Sequence, residues 1–184
     1  MKNVKVFLAD GFEEIEGLTV VDLLRRAGIE VSTVSITGDK LIHGGHGIDI
    51  MADELFAEAE AGQADMLVLP GGMPGTVHLQ EHQGLTELLI EFDRLGKYIA
   101  AICAAPGILG ELGILEGRRA ASFPGVEEKL KGAEVVRQPA VIDDHIVTSR
   151  GLGTAIDFAL AIIAVLISRE KADEIGTSVI YGRT

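Results

Sequence analysis

The stretch YIAAICAAPG, residues 98–107, decides the fold that we expect for this chain. Residues 98–102 form an apolar run of the length of a buried strand, and Pro106 stands where the first turn of a helix tolerates proline. The small residues around Cys103 permit a sharp turn, which presents a side chain at the end of a strand. The stretch therefore predicts a strand–turn–helix unit with Cys103 at its corner.

Strands and helices are expected to alternate along the rest of the chain. Further apolar or β-branched strands are predicted at residues 4–9, 29–36, 66–69, 140–143 and 146–149. Helices are predicted at residues 14–27, 53–61, 104–112 and 153–167, and a hairpin at residues 40–51. Residues 76–95 are predicted to be helical, as one helix or as two that are separated near Gly84. Such alternation indicates an α/β fold with a mostly parallel sheet that is covered by helices on both faces. Because the sequence shows no linker or repeat, we expect a single domain over residues 1–184.

Composition and charge exclude several classes of protein. The chain has 16 Lys and Arg against 28 Asp and Glu, a net charge of −12, and it has no Trp. This balance disfavours nucleic acid and anionic membranes as partners. The longest apolar run, residues 158–167, is too short for a membrane span of about 20 residues. Asp10 interrupts the first apolar run, so no signal peptide is expected, and one cysteine without a disulfide fits a cytoplasmic location.

No cofactor or metal is expected from the motifs. A dinucleotide loop would place Gly-x-Gly-x-x-Gly after the first strand, but here Gly11 is followed by Glu13, Glu14 and Glu16, whose charge would repel a pyrophosphate. The glycines that follow residues 66–69 could cradle a phosphate, although such turns are common. His78 and His82 have the spacing of half a zinc site, but without further ligands an exposed helix face is the better interpretation.

Cys103 is the candidate reactive group. A lone cysteine is often a small buried hydrophobe, but a helix N-terminus stabilises thiolate and predicts a pKa below ~8.5. A nucleophile also needs a proton partner. The glutamates at positions 13, 14 and 16 make an acidic first turn that suits the helix dipole. They cannot all face the same way, and at least one could point toward Cys103.

These residues belong to an ordered set of motifs. The set comprises GFEEIE (11–16), RRAG (25–28), LPGG (69–72), AAICAAP (100–106) and TSRGLGT (148–154). With this set the chain resembles the ThiJ/PfpI superfamily over essentially its whole length, in the branch of the parkinsonism-associated protein deglycase (DJ-one). The resemblance implies a flavodoxin-like three-layer sandwich and a homodimer.

The resemblance also assigns roles to individual residues. It implies that Cys103 is the reactive cysteine, that Glu16 hydrogen-bonds it, and that the backbone N–H groups of Gly72 and Ala104 form an oxyanion pocket. Interface positions of the family match Asp22 and Arg26, and His46 stands where the family has an arginine.

Two positions depart from family patterns. Ala104 stands where protease-like members have a histidine after the cysteine, which disfavours peptidase activity. Phe123, before Pro124, stands where the deglycase has a histidine near its cysteine. Glu16 is then left as the proton carrier of the site.

Two functions are consistent with these residues. The first is a cofactor-free glyoxalase or deglycase that acts on methylglyoxal, glyoxal or their adducts. Cys103 would form a hemithioacetal and Glu16 would move a proton between the adjacent carbons. The alternative is an oxidative-stress sensor or chaperone-like protein that uses oxidation of Cys103.

Overall fold

A computed structural model describes residues 1–182 of the chain, and its centre is a seven-stranded sheet. The strands in chain order are β1 (Asn3–Leu8), β2 (Glu30–Ser35), β3 (Leu41–His43), β4 (Asp49–Met51), β5 (Glu54–Leu55), β6 (Met66–Leu69), β7 (Tyr98–Ile102), β8 (Arg119–Ala120), β9 (Glu134–Val135), β10 (Ala140–Asp143) and β11 (Ile146–Ser149). The central sheet has the order β10-β11-β7-β6-β1-β2-β5, and every neighbouring pair in it is parallel except β10–β11.

Helices cover both faces of this sheet. They are α1 (Glu14–Arg26), α2 (Gly75–Glu81), α3 (Gln83–Arg94), α4 (Pro106–Glu111), α5 (Ala155–Leu166) and α6 (Arg169–Ser178). Alternate side chains of one strand enter opposite cores, as the period of two requires. In β1, Val6 belongs to the core that contains buried side chains of α1, α5 and α6, whereas Phe7 belongs to the core that contains those of α3 and α4. The expected three-layer α/β sandwich with a mostly parallel sheet is confirmed.

The predicted hairpin forms and packs beside the first strand. β3 and β4 pair in antiparallel register, with Ile42 opposite Ile50. The Gly11 N–H donates to the carbonyl of His43 at 2.7 Å, and the Gly45 N–H donates to the carbonyl of Phe12 at 2.9 Å. These bonds attach the hairpin to the loop that leads from β1 into α1.

Two of the predicted helices differ from the structure. The helix expected at residues 53–61 is wrong: the segment forms β5 and then turns, because the Asp53 carboxylate accepts hydrogen bonds from the N–H and hydroxyl of Thr33 in β2 at 2.8 and 2.9 Å. The helical region expected at 76–95 is divided into two helices, and the break lies at His82, close to the position considered at Gly84; the His82 ring accepts the Leu85 N–H at 3.1 Å and caps α3. Within residues 1–182, no helix is both long and apolar enough to span a bilayer.

Candidate functional site

The carboxyl ends of four adjacent strands bring the predicted site residues together. β11, β7, β6 and β1 are neighbours in the sheet. Cys103 follows β7, Gly72 follows β6, and Glu16 stands in the first turn of α1, which follows β1. In open α/β sheets, sites form at this edge of the strands, where the direction of the connections reverses.

Glycines let the loops after β1 and β6 lie in backbone contact. Gly72 has φ +94°, and a Cβ there would lie 2.2 Å from the Glu13 nitrogen. A Cβ on Gly75 would lie 2.6 Å from the Phe12 nitrogen. Such short distances leave no room for a side chain at either glycine. The backbone of the LPGG motif therefore packs directly against the backbone of the GFEEIE motif.

Cys103 occupies the predicted corner between strand and helix. Its φ is 65°, a left-handed conformation that costs a non-glycine residue about 1 kcal/mol or more. Its N–H donates to the carbonyl of Ser149 at 3.0 Å, and its carbonyl accepts the N–H of Phe123 at 2.8 Å. These two bonds hold the turn, so the expected elbow is confirmed.

Glu16 is the glutamate of the first turn that faces Cys103. The residue is 1% exposed, and its carboxyl group is hydrogen-bonded to the Cys103 side chain. Its Oε2 accepts the N–H of Gly71 at 2.9 Å, and the N–H of Leu152 also binds the carboxylate. Two backbone donors therefore fix the carboxylate against the sulfur.

Gly71 is the point where these groups meet. A Cβ on Gly71 would lie 2.6 Å from both the Cys103 Cβ and the Glu16 Oε2, so no side chain fits there. Gly72 was predicted to lie in the site, Gly71 was considered only as part of a phosphate cradle, and Leu152 was given no role. Gly71 could have been found from the LPGG motif. Leu152 could not, because every residue type except proline supplies a backbone N–H, so the role of Leu152 does not depend on its side chain.

The backbone N–H groups of Gly72 and Ala104 both hydrogen-bond to the Cys103 sulfur. They are the two groups that the resemblance assigns to an oxyanion pocket. Donors that converge on a sulfur stabilise its thiolate and can also stabilise an oxyanion that forms next to it.

Burial raises the pKa of both Cys103 and Glu16, whereas their contact raises the pKa of Cys103 and lowers that of Glu16. Burial raises the pKa of Glu16 to about 7. Burial and the Glu16 carboxylate raise the pKa of Cys103 to about 12, against the lowering by the Ala104 and Gly72 N–H groups. The prediction that the pKa of Cys103 lies below that of free cysteine is therefore wrong. That prediction considered the helix N-terminus but not the desolvation of the buried thiol. Two titratable groups in contact titrate as a pair. Between about pH 7 and about pH 12, this pair therefore holds one proton.

Glu14 faces away from this pair toward the hairpin. It is 1% exposed, its Oε1 accepts the N–H of His46 at 2.7 Å, and its Oε2 contacts Nδ1 of His46 at 2.9 Å. Burial opposes ionisation, but these bonds and the Ile48 N–H hold the pKa of Glu14 at about 2. Its role in holding the hairpin was missed, because sequence alone does not bring residues 14 and 46 together.

The remaining predicted positions lie outside the contacts of Cys103. Asp22 and Arg26 form an ion pair at 2.8 Å on the exposed side of α1. Ligand atoms of Glu13, Glu14 and His46 lie within 4.8 Å of one another, the one such set among residues 1–182 that could hold a metal. Hydrogen bonds and an ion pair between His46 and the two glutamates account for this arrangement without an ion.

Phe123 lies beside the site. A Cβ on Gly151 would lie 3.6 Å from Cδ2 of Phe123 and 3.9 Å from the Cys103 sulfur, so both flank the same point. The ring is half exposed at 51%. An aromatic ring that cannot carry a proton therefore forms one wall next to the cysteine.

This fold and site define an α/β sandwich protein that carries a cysteine on a strand–helix elbow beside a buried glutamic acid. The chain belongs to the DJ-1/PfpI family, whose sequence model matches residues 2–165.

Three relatives illustrate the similarity. The chain is 38% identical to the Arabidopsis thaliana protein DJ-1 homolog A over 179 residues, which cover 96% of this chain and 46% of that protein. It thus spans about half the length of that relative. It is 35% identical to a Pyrococcus abyssi deglycase over 151 residues, 80% of this chain and 89% of that protein. The structure of oxidized Toxoplasma gondii DJ-1 superposes with a TM-score of 0.95 at 34% identity, covering 99% and 100% of the two chains.

Proposed function

We propose that the protein is a cysteine-dependent, cofactor-free glyoxalase or deglycase that acts on methylglyoxal, glyoxal or their adducts. The observation that carries the proposal is the hydrogen-bonded pair of Cys103 and Glu16 with two backbone N–H groups on the sulfur. The similarity to a protein named a deglycase supports the same reaction class.

The first step is addition of the Cys103 sulfur to the aldehyde carbon. It gives a hemithioacetal, and the thiol proton or its equivalent on Glu16 ends on the new oxygen. The N–H groups of Gly72 and Ala104 stabilise negative charge on that oxygen while it develops, a contact worth ~3–4 kcal/mol in other enzymes.

The second step is a proton transfer between adjacent carbons. Glu16 removes the proton from the former aldehyde carbon and returns it to the neighbouring ketone carbon, and the hydroxyl proton of the first carbon moves to the oxygen of the second. The first carbon is thereby oxidised to a carbonyl and the second is reduced to an alcohol. The product is a thioester of Cys103, which water hydrolyses to lactate and the free thiol. A carboxyl group with a pKa of about 7 is suited to both directions of this transfer at neutral pH.

The test is the formation of lactate from methylglyoxal by the purified protein. We expect turnover without added metal or cofactor and its loss in Cys103→Ala. Lactate formation that survives in Cys103→Ala would refute the covalent route, and wild-type protein that forms no lactate would refute the function.

A sensor of oxidative stress with chaperone-like action is the second candidate, and the cradle around the sulfur favours it. Protonated Glu16 and the N–H groups of Gly72 and Ala104 would bind the oxygens of a sulfinate at Cys103. One neighbouring structure is titled as the oxidized form of its protein. Mass spectrometry after peroxide treatment tests this candidate: sulfinate at Cys103 in a protein that forms no lactate would favour it over the enzyme.

The proposal includes a homodimer of one-domain chains in the cytoplasm. Val21 and Leu24, the apolar residues of α1 next to Asp22 and Arg25, are buried within the protomer and do not support the dimer. Ile15 on α1 and Ile48 and Met51 of the hairpin support it instead, since they are 46%, 49% and 66% exposed. Large apolar side chains exposed on neighbouring elements are typical of an interface.

A further inference from the structure

A cavity of about 300 Å³ is lined by Cys103 and not by Glu16. Its walls come from α2, from α4 and from the 3₁₀ helix Pro124–Lys129. The apolar side chains that line it are Met73, Val77, Ile108, Phe123 and Val126. The cavity is therefore a mainly apolar space with a nucleophile at one end.

The cavity is larger than the proposed chemistry requires. A three-carbon oxoaldehyde would leave most of 300 Å³ empty, since one water takes about 30 Å³ in the liquid. Volumes on the order of 300 Å³ begin the range of pockets that bind organic ligands of larger size. The remaining volume can hold a substituent of the carbonyl compound that reacts at Cys103.

Two glycines, Gly107 and Gly125, lie in the wall of this cavity. A Cβ on Gly107 would lie 2.9 Å from Cγ1 of Val126 and 3.3 Å from Cβ of Lys129, so the 3₁₀ helix rests on bare backbone of α4. A Cβ on Gly125 would have one neighbour within 4 Å, Cδ1 of Phe123 at 3.9 Å. The first glycine sets the width of the cavity, and the second leaves room at its wall.

Phe123 makes the part of the cavity next to the Cys103 sulfur aromatic. Its ring flanks the same point as the Cys103 sulfur, as the distances from Gly151 show. A ring substituent on a bound molecule can stack on it in an offset or edge-to-face arrangement, which adds to the free energy of burial.

We propose that this cavity is a binding subsite for an apolar substituent of the molecule that reacts at Cys103. Given the proposed function, on which the identity of the substrate rests, the preferred substrates are α-oxoaldehydes that carry an aryl or branched alkyl group, such as phenylglyoxal, rather than glyoxal or methylglyoxal.

The experiment compares kcat/KM for phenylglyoxal and methylglyoxal in three proteins. They are the wild type, Gly125→Leu, which adds a large side chain to a residue that lines the cavity, and Gly62→Leu as a matched control, since a Cβ on Gly62 meets nothing within 4 Å. We expect kcat/KM to favour phenylglyoxal by about ten-fold or more in the wild type and the control. We expect this preference to collapse in Gly125→Leu. If the wild type turns over both substrates without this preference, the inference is overturned and the proposed function stands.

A second measurement decides the case in which neither oxoaldehyde is turned over. Alkylation of Cys103 by iodoacetamide and by N-benzyl iodoacetamide is compared with that of free cysteine, because this ratio reports on the cavity without catalysis. A preference for the benzyl reagent above that of free cysteine, lost in Gly125→Leu and kept in Gly62→Leu, supports the subsite although the enzyme function has failed. A ratio equal to that of free cysteine rejects the subsite.

Discussion

Glu14 and Glu16 stand in the same turn of α1, their carboxyl groups face different partners, and their pKa values are shifted in opposite directions. Glu16 faces Cys103, and burial raises its pKa to about 7. Glu14 is equally buried, yet hydrogen bonds from the His46 ring and from backbone N–H groups hold its pKa at about 2. One turn of helix thus supplies a carboxyl group that can carry a proton at neutral pH and a carboxylate that remains ionised.

We expect Glu16→Gln to separate thiol reactivity from turnover. The amide cannot take up a proton, so kcat should fall by about 10²- to 10⁴-fold, the range of general acid–base catalysis. The Glu16 carboxylate raises the pKa of Cys103, so its removal should speed alkylation by iodoacetamide at pH 8. Lactate formation and alkylation are measured on the same samples, with Glu13→Gln as control. Full turnover in Glu16→Gln would remove the glutamate from the mechanism.

The pH dependence of kcat/KM should follow the first proton loss of the Cys103–Glu16 pair. Below pH 7 both groups hold protons, and above about 7 the pair shares one. The sulfur reacts in the form with the shared proton on Glu16, so kcat/KM should rise with pH and reach half its plateau near pH 7. Initial rates from pH 5.5 to 9 check this. A profile that is flat or falls over this range would contradict the assignment.

Glu14 should stabilise the fold in a way that acid removes. Its pKa in the folded protein is lowered from 4.5 to about 2. The stabilisation is therefore present above pH 4.5 and is lost as the pH falls from 4.5 toward 2. Glu14→Gln should lower the Tm at pH 7, and the difference from wild type should shrink toward pH 2. Melting curves by circular dichroism measure both, with Glu13→Gln as the neighbouring control. A Tm difference that is constant from pH 7 to pH 2.5 would argue against it.

Gly71→Ala should damage the site through geometry alone. The added Cβ would lie 2.6 Å from the Cys103 Cβ and from the Glu16 Oε2, so one of them must move. A displacement of about 1 Å in a catalytic group can lower the rate by about 100-fold. The matched control is Gly62→Ala, whose Cβ would meet nothing within 4 Å. Equal kcat/KM values for the two variants would show that the contact at Gly71 has no bearing on turnover.

The dimer is tested by mass in solution. Light scattering at micromolar concentration should give twice the chain mass of 19.5 kDa. Met51→Glu places a charge on the exposed hairpin and should return the mass to that of one chain. Ile90→Glu on α3, a position that is 49% exposed, serves as control and should remain dimeric. A wild-type protein of one-chain mass would refute the assembly.

The architecture could be predicted from the sequence because alternating strands and helices are strong local patterns. The pairing of Glu16 with Cys103 came from the family resemblance, since the local pattern left Glu13, Glu14 and Glu16 as alternatives. The apolar run and the small residues around Cys103 were enough to predict the elbow. The helix predicted at residues 53–61 was wrong because the Asp53 carboxylate binds the N–H of Thr33. Thr33 is distant from Asp53 in the sequence, so this contact could not be predicted from the local pattern. The pKa of Cys103 was misjudged because desolvation depends on burial by several segments at once. Donors such as the N–H groups of Gly71 and Leu152 depend on backbone position, which residue identity does not reveal.

The left-handed turn at Cys103 has a practical consequence. Its two flanking hydrogen bonds join backbone atoms, so the turn is held without any contribution from the sulfur. An alanine at this position would bear the same conformational cost and keep the Gly72 and Ala104 N–H groups in place. The alanine variant would then keep the geometry of the site and bind carbonyl compounds without reacting with them, so that a structure of the complex would show their binding positions.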